Sequence, residues 1–121
     1  VIHDIIRFVR APVTTIGAGW VATPGAHIFL AAEKKRRVCL PNTRFMIHQP
    51  AGGAGGPAAD IAIQAKEILR TRERLAHIIS KETGQPLERV RADIERDFWM
   101  SAEEAIQYGM VSKVIERYSD V

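Results

Sequence analysis

The sequence predicts a single α/β domain, and three observations lead there. Short β-branched or apolar runs bounded by Pro, Gly or Asn occur at 13–17, 37–40, 44–48 and 111–116. Between them, the stretch from Pro57 to Thr83 carries apolar residues at helical spacing. No segment repeats another, so strands and helices alternate once along the chain. With 121 residues, 46% hydrophobic and 26% charged, the chain can bury one core and has no room for a second. Disordered and fibrous classes are excluded by the same composition.

From Val1 to Val9, Ile2, Ile5, Ile6 and Val9 recur at helical spacing with no Ser, Thr, Asp or Asn cap ahead of them. The expectation is a chain that starts inside an element, one domain over 1–121 whose N-terminal part is missing. Val13 to Gly17 predicts a short buried strand, and Gly19 to Pro24 a turn. Thr23-Pro24 reads as N-cap and first residue of a helix running to about Ala32, because proline there has no N–H to lose. Arg37–Leu40 and Arg44–His48 are two strands separated by the turn residues Pro41, Asn42 and Thr43.

Residues 51–56 read AGGAGG, a backbone almost without side chains. In the long helix that follows, Ile61, Ala65, Ile68, Leu75 and Ile79 form one stripe and Gly84 the stop. Lys66, Arg70, Arg74 and Lys81 occupy another face, so a helix about 40 Å long extends past a compact core toward a neighbour. Pro86 to Arg96 predicts a shorter helix with Leu87, Val90 and Ile94 inward. Ser101 and Glu104 form a capping box for a helix stopped by Gly109, and Val111 to Glu116 closes the chain as a strand.

Net charge is +3, and the basic run Lys34-Lys35-Arg36-Arg37 lacks interleaved aromatics or glycines, so it predicts a solvated link and no nucleic-acid partner. Residues 11–32 carry no formal charge, but Pro12, Gly17, Gly19, Pro24, Gly25 and His27 divide them, and no membrane span is expected. One cysteine, Cys39, excludes an internal disulfide framework and points to a reducing compartment, the cytoplasm by default. No metal site is expected.

Three stretches carry chemistry: Gly19-Trp20-Val21-Ala22-Thr23-Pro24-Gly25-Ala26, Met46-Ile47-His48-Gln49-Pro50 and Glu95-Arg96-Asp97. Singly, Thr23 reads as a helix cap, His48 as a strand-end histidine and Asp97 as a loop anion. Jointly they offer a hydroxyl, an imidazole to take its proton and a carboxylate to orient the imidazole. With their spacing, and with Asp60-Ile61, Thr83-Gly84-Gln85 and Ser101-Ala102-Glu103-Glu104-Ala105, they resemble the Clp protease family, the proteolytic subunits (ClpP) of an ATP-dependent protease. The likeness runs through essentially the whole chain.

The resemblance implies a ClpP/crotonase-like α/β fold, with stacked strand and helix layers and a protruding strand-helix handle over approximately 49–83. It assigns Thr23, His48 and Asp97 to a catalytic triad and Ala51, Gly52 and Gly53 to main-chain pairing with substrate. Glu95 and Arg96 are assigned to contact between rings. The implied activity is serine-type hydrolysis of unfolded proteins to short peptides. The implied assembly is two stacked heptameric rings, of one chain or mixed with paralogues, fed by an AAA+ unfoldase. ATP is spent by that partner, no cofactor is expected in this subunit, and the implied compartment is the cytoplasm or an organelle of bacterial origin.

Two departures bear on activity. The family's Ser-Met is Thr23-Pro24 here: threonine adds a methyl beside the hydroxyl, and proline lacks the N–H that relatives turn toward the oxyanion. His27, four residues beyond Thr23, interrupts an apolar helix and reads as a packed, hydrogen-bonded histidine. The alternative functions are therefore a noncatalytic subunit of a mixed ring and, more distantly, a crotonase-fold enzyme acting on acyl-CoA thioesters.

Overall fold

A computed structural model describes residues 1–48 and 56–121. In chain order the elements are α1 (Ile2–Phe8), β1 (Thr15–Gly17), β2 (Trp20–Ala22), α2 (Gly25–Phe29), β3 (Arg37–Cys39), β4 (Arg44–Ile47), α3 (Ala58–Thr83), α4 (Leu87–Asp93), β5 (Phe98–Ser101), α5 (Ala102–Tyr108) and β6 (Lys113–Val114).

The strands make two three-stranded sheets. One has the order β1-β3-β6 and is parallel throughout; the other has the order β2-β4-β5, with β2 parallel and β5 antiparallel to β4. The two predicted strands at 37–48 are therefore β3 and β4, which lie in different sheets. Each ladder runs on to the point where the chain crosses between the sheets: Leu40 N–H donates to Gly17 O (3.0 Å) at the end of β1–β3, and Arg44 N–H to Gly19 O (2.8 Å) at the start of β2–β4. The buried Thr43 hydroxyl donates to Gly17 O (3.0 Å). A Cβ on Gly17 would approach Phe45 Cζ to 3.1 Å and Cys39 Cβ to 3.3 Å, so glycine is what lets the sheets meet there.

Two strands lie where the sequence predicts none. Trp20–Ala22 falls inside the predicted turn yet forms β2, and Phe98–Ser101 forms β5. The helix predicted from Pro24 to about Ala32 is only Gly25–Phe29, and no side chain caps it. Thr23 instead directly follows β2: its N–H donates to Met46 O at 3.2 Å, which prolongs the β2–β4 ladder by one rung.

The core lies between the sheets and helices α2 to α5. It contains Phe29, Leu30, Phe45, Ile47, Leu75, Ile79, Val90, Ile94, Met100 and Met110, all buried. Burying a side chain of this class contributes about 1.5–3 kcal/mol against leaving it exposed. At α5's end, Gly109 has φ +103, and a Cβ there would collide with the Thr83 carbonyl, so α3 and α5 end against each other through bare backbone.

Of the stripe predicted on α3, Leu75 and Ile79 are buried, Ile68 is half-buried, and Ile61 and Ala65 are exposed. Ile63 and Leu69 are exposed as well, so among the described side chains of the helix those that enter the core belong to its C-terminal third. Arg37 is completely buried below that third. Its guanidinium donates to Met110 O (2.8 Å), Glu82 O (2.7 Å), Gly109 O (3.0 Å), Ala32 O (3.2 Å) and Glu82 Oε2 (3.2 Å). One charged side chain thus satisfies the ends of α3 and α5, and Arg7 of α1 reaches the same Glu82 carboxylate.

Candidate active site

The three motif residues are placed by three adjacent strands. Recorded pairs run Ala22 with Met46 on the parallel side of β4 and Ile47 with Phe98 on the antiparallel side. Thr23 follows Ala22, His48 follows Ile47, and Asp97 precedes Phe98. Carrying the antiparallel register one residue further sets Asp97 opposite His48, where facing residues have Cβ atoms about 4.5–5.5 Å apart. Alternation along β4 puts His48 on the face of Met46, away from the buried Phe45 and Ile47.

Thr23 and His48 share an apolar-walled pocket of about 430 Å³. Its other lining residues, among those described, are Pro24, His27, Thr71, Arg74, Leu75 and Ile78. The four from α3 stand at i, i+3, i+4 and i+7, one stripe of the helix. Arg74, which the sequence assigns to the basic face, is exposed and also lines this pocket. Thr71, Leu75 and Ile78 are missed as site residues by sequence reasoning, although that spacing on a helix after the histidine motif carries the signal.

The Thr23 hydroxyl points to Met46 O, at the long distance of 3.5 Å. The Thr23–Pro24 peptide bond is cis. Asp97 is exposed and lies outside the pocket's lining. Glu95 and Arg96 are exposed in the turn between α4 and β5. The predicted substrate strand, Ala51, Gly52 and Gly53, lies outside the described residues, as do the first residues of the predicted handle.

His27 is packed as expected. Its ring stacks on that of His3 with centroids 4.4 Å apart, and its main-chain O lies 2.8 Å from His3 Nδ1. Its Nε2 is buried and has no hydrogen-bond partner among the described residues, so the expectation of a hydrogen-bonded ring is not met there. Burial lowers its pKa below the ordinary imidazole value; His3 and the Val1 ammonium push the same way, and Asp4 opposes them. A neutral imidazole therefore stands beside Thr23 and Pro24. Among the described residues no cluster of three or more His, Cys, Asp or Glu could hold a metal ion, and no helix is long and apolar enough to cross a membrane.

The family model for Clp protease matches residues 1–118. The chain belongs to the Clp protease family. It is 52% identical over 120 residues to ATP-dependent Clp protease proteolytic subunit 3 of Rhizobium etli, covering 99% of this chain and 62% of that protein. Proteolytic subunit 2 of Gluconobacter oxydans is 56% identical over 122 residues, with 99% and 55% covered. A solved structure of a ClpP1 mutant from Listeria monocytogenes superposes with a TM-score of 0.90 at 50% identity, over 98% of this chain and 65% of that one. The chain thus spans somewhat under two thirds of the length of these Clp protease subunits. Its fold is that of ClpP.

Proposed function

We propose that this chain is a subunit of an ATP-dependent endopeptidase, in which Thr23 attacks the peptide carbonyl, His48 takes its proton and Asp97 orients and stabilises the imidazolium. The observation that carries the reading is the register of β2, β4 and β5, which ends three neighbouring strands on a hydroxyl, an imidazole and a carboxylate. A hydroxyl needs a base to attack at neutral pH, and the base needs a carboxylate to fix its tautomer. After acyl transfer to Thr23 Oγ, His48 gives its proton to the leaving amine; water then repeats the sequence in reverse. The 430 Å³ pocket beside Thr23 receives the substrate side chain on the acyl side of the scissile bond.

In this reading Ala51–Gly53 pair with the main chain of unfolded substrates, and the segment 49–83 forms the handle. Glu95 and Arg96 take part in contact between two heptameric rings, and an AAA+ unfoldase spends the ATP. Cytoplasm is the compartment proposed. Exposed Ile63 and Leu69 on the outer part of α3 are consistent with a helix finished by a neighbouring subunit. The test is turnover of fluorogenic peptides by the whole protein with its unfoldase, compared with His48→Ala. Turnover that persists in His48→Ala, or no turnover under any partner condition, would sink this reading.

Pro24 favours a second reading, a noncatalytic subunit in rings shared with active paralogues. Position 24 supplies no N–H for the oxyanion, and loss of one such donor lowers turnover about 10²–10³-fold. The Thr23 hydroxyl turned to Met46 O points the same way. Combining Thr23→Ser with Pro24→Met then switches activity on; if the double variant stays inert, the defect lies elsewhere.

A further inference from the structure

We infer that His3 and His27 form a proton-operated latch: neutral, stacked rings hold α1 on α2, and acid opens that contact before the rest of the chain unfolds. His3 is the buried residue of α1, whereas Ile6 is half-buried and Ile2, Ile5 and Phe8 are exposed. The His3 ring lies on that of His27 with centroids 4.4 Å apart and planes inclined by 26°, and its Nδ1–H donates to His27 O at 2.8 Å. The most extensive packing of α1 is against α2, and one turn along from His3 it is tied to α3 by the Arg7–Glu82 ion pair. A titratable pair and a salt bridge thus hold α1 with little buried hydrocarbon.

His3 keeps its bond to His27 O whether its ring is neutral or charged, since Nδ1 donates in both forms. A proton on His27 has no such accommodation: its Nε2 is buried without a hydrogen-bond partner among the described residues, and the new cation would lie face to face with the other ring. On α1 the pair meets Asp4 and the Val1 amino group; β1 and β2 carry no titratable side chain, β4 carries Arg44 and is followed by His48, and α3 brings Arg74 to the pocket that His27 lines. Asp4 favours charge on His27 but is outweighed, first by burial and then by His3, so the docked ring titrates below 6.5. The freed ring regains the ordinary value. Opening is therefore favoured as pH falls below 6.5, by at most about tenfold per pH unit, until the docked ring itself titrates. Release reaches the Thr23–Pro24 turn, because the N–H groups of His27 and Ile28 donate to Pro24 O at 3.1 and 3.3 Å.

Hydrogen exchange of the whole protein between pH 7.5 and 5, corrected for the intrinsic rate and read by mass spectrometry, tests the latch without reference to turnover. Peptides spanning 2–9 and 23–30 are expected to lose protection together below pH 6.5, by about tenfold over the first unit, while the peptide of α5 keeps its protection. Joint replacement by His3→Phe and His27→Phe keeps two stacked rings and removes both protons, and the acid step disappears. His3→Phe alone narrows the step, since burial still disfavours charge on His27 and the neighbouring ring no longer does. Arg7→Gln lowers protection of α1 at every pH and leaves the step in place. Protection that does not change with pH, that is lost equally in α5, or whose acid step is the same in His3→Phe as in the unmodified protein, overturns the inference.

Discussion

In the peptidase reading proposed above, Pro24 puts a ring nitrogen where a backbone N–H would assist the developing oxyanion. Pro24→Met is therefore expected to raise kcat with fluorogenic peptides by about 10²-fold, with little change in KM, since the donor acts in the transition state. Steady-state kinetics on the single variant checks this. Three residues further on, His27 gives a pH-dependent stability of defined sign. Its folded pKa lies below the ordinary value of 6.5, so the unfolded chain takes up a proton first as pH falls. Its contribution is fully present above pH 6.5 and is lost on acidification toward its folded pKa. Thermal unfolding followed across that window should give a Tm that falls less steeply in His27→Phe than in the unmodified protein. His48 and Asp97 were legible as candidates because their motif neighbours and order are specific. Thr23 was legible as a position but misread as a cap, because Thr-Pro ahead of an apolar run has the same local signature whether its N–H is free or used by Met46 O.

At the scale of elements, Arg37 holds together parts of the chain remote in sequence: the segment after α2 and the ends of α3 and α5. Arg37→Met is expected to lower unfolding free energy by about 3–5 kcal/mol, because it strands several carbonyls and leaves the Glu82 carboxylate with only Arg7. Urea unfolding measures it; a loss below about 1 kcal/mol would mean that water replaces the guanidinium freely. The helices were mostly legible, since α3 has its apolar residues at helical spacing and its glycine stop, and α5 its capping box. β2 and β5 were not, although they flank the candidate site. Trp20–Ala22 is three residues between Gly19 and Pro24, too short to display alternation against turn punctuation. Phe98-Trp99-Met100 is a continuous apolar run abutting a capping box, with no period to distinguish strand from helix. Both are fixed by pairing with β4, a tertiary fact.

At the scale of the molecule, the outer part of α3 presents apolar side chains that this chain leaves exposed, Leu69 at 59% and Ile63 at 62%. If they are covered by a neighbouring subunit, Ile63→Glu with Leu69→Glu should break the assembly while the monomer stays folded, because neither residue is in the core. Sedimentation velocity, with circular dichroism as the folding control, reads both. An unchanged sedimentation coefficient would remove this face from the assembly. The sequence marked the helix as longer than a compact core needs, but which of its faces would be solvated depended on where α4 and the site's strands pack. The proposed triad depends on the whole arrangement of β2, β4 and β5. It is tested most directly by treating the whole protein with a fluorophosphonate and mapping the adduct by mass spectrometry. The expected result is modification at Thr23, increased in Pro24→Met and abolished in His48→Ala; a Pro24→Met protein that is folded, assembled and unmodified at Thr23 would contradict it.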